Sequence, residues 1–289
     1  MADACNGVDT GFVALGYARV AFLGVVQGIT ELLPISSTAH MRIIPAVLGW
    51  PDPGAAFSAA MQSAALIAVI SYFWKDVAQL VGGSFSAVVE RRFDDAQLRL
   101  AFWIGLATVP IAIAGLLLAP ILNKCGSPLR SISAIGVACL VMALLLGIAE
   151  VRARHARTVA DASFADALLV GIAQVGALIP GVSRSGSTLT AALGLGFKRE
   201  EAARFSFLLG IPAIALAGLK EFWELYRAHL DGHGWSILGV GILVGAASAF
   251  VTIWALMRIL ERVSAWPFVI YRALLGLFLL AGAAAGFLR

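Results

Sequence analysis

The chain has 289 residues, of which 60% are hydrophobic and only 13% are charged. A soluble domain usually contains about 45–50% apolar and about 25% charged residues, so this composition excludes a soluble protein and predicts an integral membrane protein. The net charge is +4. Because the basic residues are dispersed in short loops between apolar segments, we expect no nucleic-acid partner.

The first apolar segment, residues 17–35, ends in a polar motif instead of a charged loop. This motif, at residues 27–42, reads QGITELLPISSTAHMR. Pro34 breaks a helix, and a short apolar piece follows at residues 41–48. A helix, a break and a short helix indicate a re-entrant element, whose broken backbone is tolerated at membrane depth only when protein or a wet cavity shields it.

Six further apolar segments are close to the roughly 20 residues that a bilayer requires. In chain order they are 55–74, 100–122, 131–149, 205–219, 237–257 and 268–288. The fourth is short, so we expect its helix to begin a few residues earlier. The polar segment 75–99 is interpreted as a loop.

Residues 165–179 form a second interrupted segment, which ends in the motif QVGALIPGVSRSGS at 174–187 and continues as an apolar piece at 188–196. Pro180 and Gly181 interrupt this helix. The second motif copies the first at an offset of 147, which takes Gly24 to Gly171, Gln27 to Gln174, Ser36 to Ser183 and Gly49 to Gly196.

Three full spans separate the two motifs, so the copies are expected to enter from opposite faces and to meet near the midplane as an inverted repeat. Repeat one covers about 17–122 and repeat two about 165–289. The predicted fold is therefore all-α. It is a single integral membrane domain with about six transmembrane helices and two re-entrant broken helices.

Lysine and arginine counts predict the orientation. Twelve of these residues lie in loops on one side and six on the other, leaving out three in the motifs or within a span. The richer side is expected to be cytoplasmic, which leaves both termini outside.

Glu31 is an acidic residue within an apolar stretch, which costs roughly 2.5–3.5 kcal/mol on insertion scales. It therefore needs a partner. One alternative is a structural ion pair with Arg184 or Arg42. The other is a metal ion, since Mg²⁺ usually takes one or two carboxylates together with substrate phosphate oxygens.

His40 follows three hydroxyl residues, Ser36, Ser37 and Thr38. It could attack phosphorus or act as a general base or acid, or it could be a hydrogen-bonded packing residue. Ser37 is the alternative nucleophile. Ser36 and Thr38 are expected to cap a helix or to contact phosphate.

Arg184 lies between Ser183 and Ser185 at the start of a helix. Helix N-terminal amides and a guanidinium that can grip phosphate in bidentate fashion favour anion binding. The alternative is a structural counter-ion for Glu31, and the two roles can coexist.

At these residues the chain resembles the undecaprenyl pyrophosphate phosphatases of the bacitracin-resistance type. The shared motifs cover nearly the whole length: GITELLPISSTAH at 28–40, FW at 73–74, PGVSRSGST at 180–188, FSFLLGIP at 205–212 and FVIYR at 268–272. The resemblance implies a multi-pass enzyme of the bacterial inner membrane, whose active site opens to the periplasm. Its substrate would be a polyprenyl diphosphate lipid, from which it removes the terminal phosphate with a divalent cation, Mg²⁺ or Ca²⁺. This recycles the lipid carrier of cell-wall synthesis.

The resemblance also assigns roles to residues of the two motifs. Those with a catalytic role are Glu31, Ser37, His40 and Arg184. The expected phosphate contacts are Ser36, Thr38, Ser183 and Ser185, together with Arg184.

Two positions depart from the family pattern. The family usually has a second glutamate where this chain has Gln27, so a metal held by Glu31 and Gln27 would meet one charge fewer. Ala39 replaces the usual glycine before the histidine.

The rival interpretation is a transporter or flippase for a polyprenyl phosphate, because inverted repeats with broken helices at the midplane are a common transporter design. Membrane lipids are the expected surroundings in either case. The sequence does not set the oligomeric state, and a homodimer stays an open alternative.

Overall fold

The computed structural model describes residues 10–122 and 127–288, and this part of the chain is helical with no β-strand. In chain order the helices are α1 (Gly16–Leu32), α2 (Ser37–Val47), α3 (Ala55–Ala60), α4 (Gln62–Tyr72), α5 (Trp74–Val89), α6 (Ala96–Leu122), α7 (Ile132–Arg152), α8 (Phe164–Val175), α9 (Arg184–Gly194), α10 (Arg199–Arg227), α11 (Gly232–Arg262) and α12 (Trp266–Ala284). Short 3-10 helices cover Gly11–Leu15, Pro128–Arg130, Val159–Asp161 and Gly176–Leu178.

Six helical stretches in the described residues are long and apolar enough to cross a membrane. They are Gly11–Leu32, Ala96–Leu118, Ile132–Arg152, Arg199–Arg227, Gly232–Arg262 and Trp266–Ala284. The predicted all-α, polytopic membrane fold is therefore confirmed. The fourth predicted span does begin earlier than its apolar core, because α10 starts at Arg199.

Two of the predicted segments differ from the structure. The stretch Gly11–Leu32, taken as half of a re-entrant element, is itself of spanning length. The predicted span 55–74 is instead part of a bent pair, Ala56–Tyr72 and Trp74–Val89, whose axes differ by 79°. The described residues thus contain six spanning helices, or seven if the bent pair is counted as one span, and the six are not all the predicted ones.

The prediction of a polar loop at 75–99 is wrong, because most of it is α5. Charged residues at both ends of this segment conceal an apolar helix face, on which Val81 and Phe85 are 63% and 72% exposed. A helix with one apolar face left uncovered by protein is typical of a membrane interface.

Close glycine contacts bring helices from the two halves of the chain together. A Cβ atom on Gly24 of α1 would lie 2.6 Å from the carbonyl oxygen of Gly241 on α11. At the matching position 147 residues later, a Cβ atom on Gly171 of α8 would lie 2.6 Å from the carbonyl oxygen of Ala107 on α6. Small residues let membrane helices pack this closely, so each interrupted helix is held by a long helix from the other half.

Three of the basic loops meet at one end of the molecule. Arg204 pairs with Asp76, and Arg199 pairs with Glu150 at 2.5 Å. The backbone N–H of Val159 donates to Glu201 at 2.7 Å. These contacts join the segments after α4, α7 and α9 on one face.

Candidate active site

The two helix breaks have the same local backbone. Ser36 has φ 73° and Ser183 has φ 69°, a left-handed conformation that is costly for a residue other than glycine. Each serine hydroxyl accepts a hydrogen bond from a backbone N–H three residues later, that of Ala39 or Gly186. Both breaks therefore end in a capped helix N-terminus, at α2 and at α9.

Glu31 lies at the end of α1 beside the first break and is only 5% exposed. Its Oε1 accepts from the guanidinium Nη2 of Arg184 at 3.3 Å. Its Oε2 accepts from the Ser37 hydroxyl at 2.5 Å and from the Gln27 side-chain amide at 3.1 Å. The structure thus brings the acidic, hydroxyl and guanidinium groups of the two motifs into contact.

Arg184 is only partly satisfied by these contacts. Its Nε and Nη1 atoms are buried and have no hydrogen-bond partner among the described residues. A Cβ atom on Gly210 of α10 would overlap Nη1 in its present position, so this glycine leaves the space that the guanidinium occupies. A buried donor without a partner is costly, so the guanidinium is preorganised to receive an acceptor such as a phosphate oxygen.

The serines of the second motif hold the two breaks together. The Ser185 hydroxyl donates to the carbonyl oxygens of Glu31 at 2.9 Å and Leu33 at 3.2 Å. The Ser183 hydroxyl lies 3.2 Å from that of Ser185. In the first motif, Ser36 is fully buried as a cap, whereas Thr38 is exposed on the first turn of α2 and forms no hydrogen bond with this cluster.

His40 lies one turn after Ser37 and contacts neither Glu31 nor Arg184. Its Nδ1 is 2.7 Å from the carbonyl oxygen of Ser36, and its Nε2 is 2.6 Å from the hydroxyl of Tyr271 on α12. A carbonyl can only accept, so Nδ1 carries a proton. In the neutral ring Nε2 then accepts from the Tyr271 hydroxyl, and both ring nitrogens are engaged.

Arg272 is a residue to which the sequence analysis assigned no role. It is 0% exposed, and its guanidinium donates to the carbonyl oxygens of Pro34 at 2.9 Å, Gly181 at 2.8 Å and Val182 at 3.0 Å. Pro34 belongs to the first break and the other two to the second. The sequence feature that could have identified it is its position: an arginine within an apolar span has a high free-energy cost and usually marks a functional site.

An open, largely apolar groove of about 420 Å³ leads away from His40. It lies between α1, α2 and α12. Its lining residues are Val26, Ile29, Thr30, Leu33, Ile35, His40, Ile44, Pro267, Phe268 and Tyr271. The Thr30 hydroxyl donates to the backbone of Val26, so His40 and Tyr271 supply the other polar groups of the lining.

The protein side chains at the breaks do not form a metal cage by themselves. No group of three or more His, Cys, Asp or Glu side chains that could hold a metal ion occurs in residues 10–122 and 127–288. Glu31 supplies the carboxylate and is balanced by Arg184, while Arg272 adds a second positive charge without an acidic partner in this part of the chain. The centre is therefore suited to an anion.

Several known proteins are similar to this chain over most of its length. A family model described as bacitracin resistance protein BacA matches residues 20–278. The chain is 70% identical over 263 residues to undecaprenyl-diphosphatase 2 of Mesorhizobium japonicum, covering 91% of this chain and 100% of that protein. It is 47% identical to the undecaprenyl-diphosphatases of Synechococcus elongatus, over 92% of this chain and 93% of that protein, and of Gloeobacter violaceus, over 95% and 94%.

Proposed function

Because the chain belongs to the bacitracin resistance protein BacA family, we propose that the centre formed by its two helix breaks is the active site of an undecaprenyl-diphosphatase. The protein is a multi-pass membrane phosphatase. It hydrolyses undecaprenyl diphosphate to the monophosphate and phosphate, which recycles the lipid carrier of cell-wall synthesis and gives bacitracin resistance. The observation that carries the site assignment is the contact of Glu31 with both Ser37 and Arg184.

Ser37 is the nucleophile in this proposal and Glu31 its base. The 2.5 Å hydrogen bond between the hydroxyl and Oε2 is the geometry in which a base activates a hydroxyl nucleophile. The Ser37 oxygen attacks the terminal phosphorus as its proton passes to Glu31. The bond from that phosphorus to the bridging oxygen breaks, and the lipid monophosphate leaves.

Water completes the reaction by attacking the phosphoserine. Glu31 returns its proton to the departing Ser37 oxygen. The water gives its proton to the Tyr271 oxygen as the Tyr271 hydroxyl passes its own proton to Nε2 of His40, which then releases it to solvent. His40 is less suited to be the nucleophile or the base for Ser37, because its ring nitrogens are bonded to Ser36 and Tyr271.

Arg184 binds the terminal phosphate. Its two unpartnered nitrogens, the Ser183 hydroxyl and the unpaired amides in the first turn of α9 are the donors to that phosphate in this proposal. Charge that builds on the transferring phosphoryl group is stabilised there without reorganisation, and such positioning and electrostatics are the main source of catalysis in phosphoryl transfer.

The groove takes the first isoprene units of the lipid. It is open and largely apolar, and His40 and Tyr271 are part of its lining. A lipid lying there has its proximal phosphate beside His40 and its terminal phosphate toward Ser37 and Arg184. The substrate therefore enters sideways from the membrane.

A divalent cation, Mg²⁺ or Ca²⁺, would be held by Glu31 with Gln27 beside it and by the oxygens of the diphosphate. Since the protein offers one carboxylate here, most of the oxygen ligands come from the substrate and water. When bound, the ion supplies additional neutralisation of the phosphate charge.

The orientation also belongs to this proposal. The contacts of Asp76 with Arg204 and of Glu150 with Arg199 put basic loops on one face, and the excess of lysine and arginine assigns that face to the cytoplasm. The termini are then periplasmic, and the active site opens to the periplasm.

Phosphate release from a C15 diphosphate by the purified protein tests the function. Ser37→Ala should lower the rate by about a thousandfold or more, as expected for loss of a nucleophile, and Ser86→Ala, at an exposed serine of α5, is the matched control. Mass spectrometry of acid-quenched enzyme should show a phosphate on Ser37. Retained activity in Ser37→Ala would rule out this nucleophile, and lipid binding by the wild-type protein without any phosphate release would favour the carrier interpretation.

A further inference from the structure

Arg272 has the largest completely buried side chain among the described residues. Its hydrogen-bond partners are unusual. Within the described residues it forms no ion pair with an aspartate or glutamate. All three of its hydrogen bonds go to backbone carbonyl oxygens. A buried arginine is ordinarily paired with an acid, so its partners point to a specific use.

These carbonyls are available only because the two helices are interrupted. Pro34 lies in the first break, and Gly181 and Val182 lie in the second. Carbonyl oxygens that lose their helical partners must be satisfied in another way. One guanidinium does this for both breaks at once, with Nη1 on the first and Nη2 on the second.

The α9 helix leaves room for this guanidinium at Gly186. A Cβ atom at this position would lie 2.7 Å from Nη1 of Arg272, nearer than its next neighbours, Cβ and Oγ of Ser183 at 3.2 Å. Since Gly186 is in the first turn of α9, the guanidinium lies directly against the helix whose N-terminus carries Arg184. The glycine thus permits the bridge without contributing any polar atom to it.

We propose that Arg272 is a positioning residue, which holds the two breaks at a fixed separation so that Ser37 from one and Arg184 from the other act on the same phosphate. The planar fork of the guanidinium is essential, because an ammonium group is a point donor and cannot reproduce these directed bonds. This inference rests on the proposed phosphatase function for its kinetic test, whereas its structural test does not depend on activity.

The sharpest variant leaves the charge of Arg272 in place. Gly186→Ala should displace the guanidinium and lower kcat about 10- to 100-fold, the range expected when reacting groups are misplaced by about 1 Å. Gly194→Ala is the matched control on the same helix, since a Cβ atom there meets nothing within 4 Å. Equal kcat values for these two variants, with wild-type hydrolysis intact, would overturn the inference and leave the phosphatase function standing.

Arg272→Lys and Arg272→Met separate the fork from the charge. Both variants should have similarly lowered kcat values, measured on protein that elutes from a size-exclusion column at the position of the folded wild type. Full rescue by lysine would show that charge suffices, and this would refute positioning.

Spin labels at Val47→Cys and Leu195→Cys, at the ends of α2 and α9, give a readout without catalysis. Replacing Cys5 and Cys125 by serine confines the labels to the chosen sites, since Cys139 is buried. The distance distribution should broaden in Gly186→Ala and in Arg272→Met but not in Gly194→Ala. Unchanged distributions in both variants would contradict the proposal even if the enzyme proved inactive.

Discussion

At the scale of single residues, the side chains of the centre are hydrogen-bonded to one another in the absence of substrate. Glu31 accepts hydrogen bonds from three side chains, those of Gln27, Ser37 and Arg184. A buried carboxylate needs such partners. The two sequence alternatives for Glu31 and Arg184, a structural ion pair and a phosphate site, are therefore compatible, because Arg184 retains two unpartnered nitrogens.

Gln27 offers a test of the metal requirement. Gln27→Glu would put two carboxylates in contact at positions i and i+4, where the amide now donates to Glu31. Like charges repel without a cation, and a second carboxylate strengthens Mg²⁺ binding. We expect activity to be half-maximal at a lower Mg²⁺ concentration, by about tenfold, and to be lost more completely in EDTA.

Titration of Mg²⁺ against phosphate release measures this prediction, with Gln79→Glu on α5 as a control for added charge. An unchanged Mg²⁺ dependence in Gln27→Glu would argue against a cation at Glu31. The same titration on the wild-type protein shows whether EDTA stops the reaction.

At the scale of elements, the position of the site depends on how closely α1 packs against α11 and α8 packs against α6. Gly24 and Gly171 allow this at matching positions of the two halves. A side chain there would separate the helices and displace the breaks that follow each one. Packing of small residues thus determines the position of groups about two turns further along the chain.

Gly24→Ala should destabilise the protein by about 1–3 kcal/mol, the usual cost of overpacking, and Gly171→Ala should do the same. The measurement is the unfolding midpoint of the detergent-solubilised protein when SDS is titrated in. Gly239→Ala on α11 is the control, because a Cβ atom there meets nothing within 4 Å. If Gly24→Ala unfolds at the same midpoint as Gly239→Ala, this close contact does not support the fold.

At the scale of the whole molecule, several ion pairs made by the basic loops lie at one end, while the polar centre lies between the two breaks. Arg157 adds to this end by binding Asp166 at 2.5 Å and by lying over the ring of Phe197. In the pairs of Asp166 and Glu150 the carboxylate is buried while its arginine partner remains about a third exposed. These ion pairs hold the basic loops together on one face of the molecule.

The orientation predicts which loops a membrane-impermeant maleimide can reach in intact cells. With Cys5 and Cys125 replaced by serine, a cysteine at His229 should be labelled from outside, and one at Asp94 should be labelled only after the cells are opened. Both positions are exposed, so accessibility within the protein does not differ. The reverse pattern would invert the topology and place the active site toward the cytoplasm.

Composition and motif spacing were enough to predict an all-α membrane protein, because apolar content and broken helices leave a direct imprint on sequence. The family was predicted from the resemblance of the motifs themselves, such as residues 28–40 and 180–188. They also singled out Glu31, Ser37 and Arg184, since polar groups in apolar segments are rare and costly. The amphipathic α5 was missed, because its charged ends resemble a loop.

Only the tertiary structure decided which polar groups meet. Ser37 pairs with Glu31 while His40 turns to Tyr271, and Arg272 joins two breaks that lie more than 80 residues before it in the chain. No local pattern encodes such pairings. They follow from how α1, α2, α9 and α12 pack, and burial then makes each hydrogen bond obligatory.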